Sequence, residues 1–549
     1  MAAVLAVCAF SCFVHLGAPE VNLMEARNFV AAREMAADGS WLVPTLNGAL
    51  RVAKPPLPTW AVATVLELAG PTENPALLRL PAALMTLLLV FFFWGLLREL
   101  TRQQPGEADA PGRTAWLGAL VLASNLLVIT VGREGHWDIF ANSLAVGGLW
   151  TLARGWHTAG RSRGWFALSG LFLGLSVLSK GPVALYAVLL PFLVSFGGRL
   201  YPARGPVRPR RAGLLLMLAV GLAVGLAWPA YLALQGSVAP AALAVARLEA
   251  SSWVERHARP FWNYWNFPVF VGIWTPLALL ALAVPFARPR AGRYVPYLAG
   301  LGWLLATWLL LSVVPEKKER YMLPLMPPLA LLASGLLRHL ETTLRRQPGR
   351  QPETALLRLW AVLLALACAG VPVALAVLRL PGFGPGTVRF ATAVAVFGLL
   401  AAAVWWGGFR RRQPHALTAG SLTGMCALLA LLMPIYPAWV SRKADPGLRR
   451  VFDLRHNPAL ARRPWYTLEE LHMKQVWLAG RAAPAWPRTP DSVLVRPTQP
   501  IAVLSGSDVA AQLPAAWREQ VRLRVVDSFY LDRERTSGHW HVTLVDPVR

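Results

Sequence analysis

Apolar runs long enough to cross a bilayer recur along most of this chain, and no other feature limits its fold so strongly. Residues 80–97, 115–131, 212–234 and 355–378 are examples, each within the roughly 17–25 residues that a spanning helix needs. One soluble core would not need so many separate runs. Of 549 residues, 55% are hydrophobic and only 15% charged, whereas soluble proteins carry about 25% charged residues. The chain reads as an all-α polytopic membrane protein.

Hydropathy gives about thirteen transmembrane helices, near 1–17, 76–97, 114–132, 138–153, 165–178, 181–198, 212–234, 268–287, 294–313, 321–338, 358–379, 389–408 and 415–434. The run at 1–17 lacks a basic start, and we read it as a first membrane helix rather than a cleaved signal. Every second connection is rich in arginine. These hold Arg98, Arg102 and Arg113; Arg154, Arg161 and Arg163; Arg199 to Arg211; Arg288, Arg290 and Arg293; Arg338, Arg345, Arg346 and Arg350; and Arg410 to Arg412. Positive loops stay inside, so these connections face the cytoplasm and the odd ones face outward. The bias also accounts for much of the net charge of +26, without nucleic acid as a partner. No basic stripe with interleaved aromatics lies outside the membrane segments.

Residues 1–434 thus form a transmembrane domain with a long outer loop at 18–75. Residues 435–549 are more polar, with β-like runs at 492–495, 501–504, 521–526 and 541–545 and a helix-like stretch at 508–520. They read as a small soluble α/β domain on the outer side. Cys8, Cys12, Cys368 and Cys426 sit in apolar segments without metal-ligand spacing, so no metal site is assigned to the chain. His539 and His541 alternate along a predicted strand, as surface residues do.

The residues that could carry chemistry lie on the outer side. The first loop reads VNLMEARNFVAAREMAADGSWLVPTLNGALRVAKPPLPTW. Residues 25–35 suit a short amphipathic helix with Phe29, Ala32 and Met35 on one face. Asp38-Gly39 stops it and Asn47-Gly48 makes a turn. Lys54-Pro55-Pro56 then re-enters in an extended form. Three further clusters are GREGHWD at 132–138, LSKGP at 178–182 and PEKKERY at 315–321; a fourth, WVERHARPFWNYW at 253–265, mixes charge with aromatics. Charges near membrane depth are costly unless paired, so they are functional candidates. Snorkelling and aromatic belts account for Trp262 and Trp265, but poorly for Lys180 and the run from Lys317 to Arg320. Outward cations suit an anionic lipid headgroup, because phosphate takes charge-assisted hydrogen bonds from Lys and Arg.

Taken together these motifs resemble the lipid-dependent membrane glycosyltransferases of the dolichyl-phosphate-mannose–protein mannosyltransferase and aminoarabinose (lipid A) transferase superfamily, which have the GT-C architecture. The similarity covers roughly residues 18–330. It implies transfer of a sugar from a polyprenyl-phosphate donor to a lipid A-type phosphate, a glycan or a protein hydroxyl, at the outer face of a bacterial inner membrane. The lipid-linked sugar is the donor substrate, and no cofactor is firmly implied. The resemblance assigns donor-phosphate or substrate contacts to Arg27, Lys54, Lys180, Lys318 and Tyr321, to which the crowded cation run adds Arg320, and it matches acidic positions at Glu25 and Asp138, one of which would be the catalytic carboxylate. Between these two we expect Glu25, on the loop that covers the sugar; a helix cap or an ion pair with Arg133 would explain Asp138. One departure is Met24, where the family usually has an Asp before the Glu. Either Glu25 replaces that Asp as base, or the acceptor is a phosphate and needs none. A flippase of lipid-linked sugars is the alternative class. It predicts internal repeats, and we find none.

Overall fold

The computed structural model describes residues 2–158, 162–197, 211–236, 238–241, 243–244, 258–347, 349, 351–380, 382–437, 446–489, 492–517, 519–530 and 538–548. The basic connection at 199–210 and the residues from Trp253 to His257 lie outside them. Two compact units emerge. One holds Met1–Ala18, Val52–Pro58 and Arg79–Tyr436; the other holds Pro19–Arg51, Thr59–Leu78 and Pro437–Arg549. Where the sequence reading kept the loop at 18–75 with the membrane segments, these contacts group most of it with the tail.

The first unit is helical. Among the described residues, six helices are long and apolar enough to cross a membrane, and up to eight if each bent pair counts as one span. Its first helices are α1 (Ala2–Phe13), α4 (Pro75–Thr101), α5 (Arg113–Ala123), α6 (Leu126–Gly132), α7 (Trp137–His157) and α8 (Arg163–Lys180); α2 and α3 belong mainly to the other unit. The run expected as one helix at 114–132 is broken, with α5 and α6 meeting at 59°. Asn125 is the cause: its side chain accepts from the Leu127 and Val128 amides and starts a new helix. Two buried arginines close α1. Arg79 donates to Leu16 O, and Arg133 to Ser11 O, Val14 O and His15 O. Arg133 therefore satisfies helix-end carbonyls.

Helix α8 packs closely on the helix Arg211–Gly225. A Cβ at Gly170 would lie 2.3 Å from Met217 O, and one at Gly174 2.9 Å from Gly221 O. Small residues four apart on both helices, Gly170 and Gly174 against Gly221 and Gly225, let the backbones approach as in membrane helix pairs.

The second unit is built round one apolar core. Helix α2 (Leu23–Asp38) contributes Phe29, Ala32 and Met35, all fully buried, as its predicted face requires. They pack with Val62, Leu78, Val476, Trp540 and Leu544. Gly39 ends α2 in the left-handed conformation with φ 70°, as the Asp38-Gly39 stop predicts. Strands β1 (Thr45–Leu46) and β2 (Ala49–Leu50) flank the turn at Asn47-Gly48, where φ is 55° and 75°. Helix α3 (Leu57–Ala69) follows. The tail carries a four-stranded sheet in the order β3 (Trp465–Thr467), β4 (Ile501–Ser505), β6 (His539–Pro547), β5 (Val521–Tyr530). β3 pairs parallel with β4, and the other pairs are antiparallel. The run at 492–495 forms no strand, only a bridge at Leu494. The stretch at 508–520 is two short turns, Val509–Gln512 and Ala515–Trp517.

Candidate functional site

Two helix ends and a 3-10 turn meet in the first unit. Helix α7 begins with His136 as its cap, whose ring accepts from the Asp138 amide. Helix α8 ends at Lys180, because Gly181 follows with φ 75°. A 3-10 turn, Glu319–Leu325, carries Arg320 and Tyr321. Asp138 lies where all three converge and is only 4% exposed. Its Oδ1 accepts from Lys180 Nζ, and Arg320 Nε stands 3.3 Å from its Oδ2. His136 Nδ1 is 3.5 Å from the same oxygen, and His136 Nε2 is 2.6 Å from Glu134. The expected pairing of Asp138 with Arg133 is thus corrected: Arg133 is committed to the α1 carbonyls.

Tyr321 is the common surface for the cations. Lys180 Nζ lies 4.5 Å from its ring centre, Lys318 Nζ 5.8 Å and the Arg320 guanidinium 5.4 Å, within cation–π range. Lys318 Nζ also pairs with Glu316, which accepts from Tyr321 Oη at 3.4 Å. Lys317 turns away, donating to Ser312 O and Val314 O at 2.9 and 2.5 Å. Lys54, from the re-entrant Lys-Pro-Pro segment, is close enough to Lys180 for their charges to repel. Asp138, Lys180, Lys318, Arg320, Tyr321 and Lys54 are thereby all in one unit. Two cations, Lys180 and Arg320, face one carboxylate, and Lys54 adds its charge beside Lys180. Such a surplus suits an anion.

Glu25 and Arg27 belong to the other unit. Glu25 is 1% exposed and completes a capping box: its Oε2 accepts from the Asn22 amide at 3.0 Å, while Asn22 Oδ1 accepts from the Glu25 amide. Sequence reading had given this carboxylate no structural duty. Arg27 Nη1 reaches Met24 Sδ at 4.0 Å, so the position of the missing Asp adjoins this cation. Burial, with the charges of Lys474 and Arg27, holds the His472 imidazole below its ordinary value. Glu34 shapes the neighbouring hairpin, accepting from Thr45 Oγ1 at 2.7 Å and the Asn47 amide at 2.8 Å. Thr59 Oγ1 donates to Asn28 Oδ1 at 2.7 Å and ties α3 to α2.

Sequence reasoning missed Tyr264. Buried in the run of interfacial aromatics, it accepts from the Lys318 amide at 3.0 Å and donates to the Lys318 carbonyl at 3.2 Å. The signal was available, since a buried Tyr must find a partner for its hydroxyl. Trp262 and Trp265 are 57% and 72% exposed.

Two family profiles match the chain: dolichyl-phosphate-mannose-protein mannosyltransferase over residues 53–228, and the Alg9-like mannosyltransferase family over residues 256–383. An undecaprenyl phosphate-alpha-4-amino-4-deoxy-L-arabinose arabinosyl transferase of Pseudomonas paraeruginosa is 29% identical over 451 residues, covering 77% of this chain and 73% of that protein. Its Pseudomonas aeruginosa counterpart is 28% identical over 447 residues, with the same coverage. The crystal structure of ArnT from Cupriavidus metallidurans bound to undecaprenyl phosphate aligns with a TM-score of 0.70 at 17% identity, covering 99% of this chain and 97% of that one. The chain is therefore a multi-span membrane glycosyltransferase with the GT-C fold. Its sequence is similar to the superfamily of dolichyl-phosphate-mannose–protein mannosyltransferases and aminoarabinose transferases, and the flippase alternative is set aside.

Proposed function

We propose that the chain moves 4-amino-4-deoxy-L-arabinose from a polyprenyl-phosphate donor to a phosphate of a lipid A-type acceptor at the outer face of the bacterial inner membrane. The observation that carries the reading is the gathering of Lys180 and Arg320 on Asp138, with Lys54 close to Lys180. An acceptor phosphate oxygen attacks the anomeric carbon, the bond from that carbon to the donor phosphate breaks, and polyprenyl phosphate leaves with the electron pair. The clamp formed by Lys54, Lys180, Lys318 and Arg320, lined by Tyr321, stabilises the charge that grows on the leaving group. Arg27 serves the substrate from the loop. Asp138 acts by holding Lys180 and Arg320 in place. Glu25 takes the proton only if the acceptor is a hydroxyl, and Met24 at the expected Asp position favours the phosphate acceptor.

In this reading about thirteen helices span the membrane, the arginine-rich connections are cytoplasmic, and the α/β tail at 435–549 stands in the periplasm with the catalytic loop. The test is reconstitution of the purified chain with polyprenyl-phosphate aminoarabinose and lipid A. Mass spectrometry should find the sugar on an acceptor phosphate. Transfer to a protein or glycan hydroxyl instead, or use of mannose only, would overturn the acceptor or the sugar. A reporter fused after residue 440 should be periplasmic; a cytoplasmic signal there would reverse the orientation.

A further inference from the structure

At the other end of α7 from Asp138 lies a cavity of about 460 Å³. Residues 138 and 154 sit near opposite ends of this helix, and 1.5 Å per residue separates them by about 24 Å. In the topology proposed above, the cavity is therefore near the opposite membrane face from the candidate site. It has no part in the proposed transfer.

Its floor is a single carboxylate. Glu99, near the end of α4, has a side chain only 5% exposed and is held by Arg154 Nη1 at 2.5 Å, Arg102 Nη1 at 3.3 Å and His157 Nδ1 at 3.1 Å. The side chains of Arg102 and Arg154 are 49% and 47% exposed, so the carboxylate is saturated from within while the guanidinium groups still face the cavity. A third arginine, Arg98, lies with its guanidinium 5.0 Å from the Trp94 ring centre. Three arginines against one glutamate leave the cavity with surplus positive charge.

The apolar walls are aromatic. Trp150 and Trp165 line the cavity with ring centres 6.3 Å apart, and Arg154 sits 5.8 Å from the Trp165 ring. Gly95 seats the Trp150 indole, since a Cβ there would fall 2.5 Å from it. Arginine forks beside tryptophans, at the end of a helix apolar enough to span, match a phosphate ester at the headgroup level with glycerol and acyl carbons beside it.

We propose that this cavity binds the phosphate of an anionic phospholipid in the leaflet opposite the candidate site, and that this lipid braces the ends of α4, α7 and the start of α8. The phosphate chemistry alone could also be met by a free anion, so the experiment separates the two. Purified full-length protein in mild detergent is mixed with phosphatidylglycerol, phosphatidylcholine or inorganic phosphate, and retained lipid is counted by native mass spectrometry at low salt. Wild type should retain phosphatidylglycerol in preference to phosphatidylcholine. Arg98→Gln with Arg102→Gln, both at exposed positions, should weaken that retention roughly 10–30-fold, at about a fivefold loss per arginine near a membrane surface. Glu99→Gln, which frees Arg102 and Arg154, should strengthen it; general damage to the fold would weaken it in both variants. Equal retention by wild type and the double variant would overturn the site. Displacement of phosphatidylglycerol by inorganic phosphate at comparable concentration would overturn the lipid as its occupant.

Discussion

Lys180, the last residue of α8, donates to Asp138 in the first turn of α7, so the end of one helix is ion-paired to the start of the one before it. The pair is almost wholly buried, with side chains 13% and 5% exposed. Removing one member of a buried pair leaves an uncompensated charge, which costs about 3–5 kcal/mol. Asp138→Ala and Lys180→Ala should each lower the melting temperature of the purified protein, and the double variant should lose less than the two losses added together. Strictly additive losses would show that the two side chains are not coupled.

The proposed phosphate clamp predicts a binding defect rather than a folding defect. Lys54→Ala and, separately, Lys318→Ala should weaken donor capture by about 1.5–3 kcal/mol, the worth of a hydrogen bond to a charged group. A titration with polyprenyl phosphate would read this as a rise of one to two orders of magnitude in Kd. Wild-type affinity in both variants would remove these lysines from the donor site.

Tyr264 acts through Lys318. Tyr264→Phe keeps the ring, and the Lys318 carbonyl keeps the Tyr321 amide as its donor, but the change strips the acceptor from the Lys318 amide. Leaving such a group unsatisfied costs about 1–3 kcal/mol. KM for the donor should rise while kcat changes little, because the hydroxyl positions the lysine and does not touch the reacting atoms. A fall in kcat at constant KM would assign it a different role.

Much of this site was legible because its residues break the pattern around them. Lys180 stands in a Gly-Pro break between apolar runs, and Lys318, Arg320 and Tyr321 crowd one helix start on the side where arginine is scarce. Asp138 was legible as a candidate, but its partners were not, since ion pairing depends on which helix ends the fold brings together. The capping role of Glu25 was written in the Asn22-x-x-Glu25 spacing; attention to its chemistry hid it. The break between α5 and α6 was masked because hydropathy stays high through 114–132 and reports apolar length, not direction. β3 spans three residues, too few for an alternating pattern to register.

The glycine spacing on α8 offers a test of the membrane packing with an internal control. A Cβ at Gly170 would lie 2.3 Å from the backbone oxygen of Met217, which cannot swing aside as a side chain does. One at Gly164, at the start of the same helix, meets nothing within 4 Å. Gly170→Ala should therefore lower thermal stability, by about 1–3 kcal/mol if it behaves as core overpacking does. Gly164→Ala should be neutral or slightly stabilising, since alanine favours a helix over glycine by about 1 kcal/mol. Equal effects at the two positions would mean that α8 and its neighbour are not closely packed there.

Glu25→Gln separates the two acceptor chemistries. Glutamine at the third helical position still completes a capping box, because its side-chain oxygen can accept from the Asn22 amide as Glu25 does. The fold of α2 should survive, and circular dichroism with a melting curve would verify that. What changes is the capacity to take a proton. Were the acceptor a hydroxyl and Glu25 its base, turnover would fall by about 10²–10⁴-fold. A phosphate acceptor arrives already anionic and needs no base, so our reading places turnover within about threefold of wild type, far short of a general-base loss. Met24→Asp is the companion variant. It restores the Asp-Glu pair and sets a carboxylate beside Arg27, whose Nη1 now lies 4.0 Å from the Met24 sulfur. For a phosphate acceptor that added negative charge should slow transfer or leave it unchanged. A large loss in Glu25→Gln together with a gain in Met24→Asp would identify a hydroxyl acceptor and overturn the phosphate one.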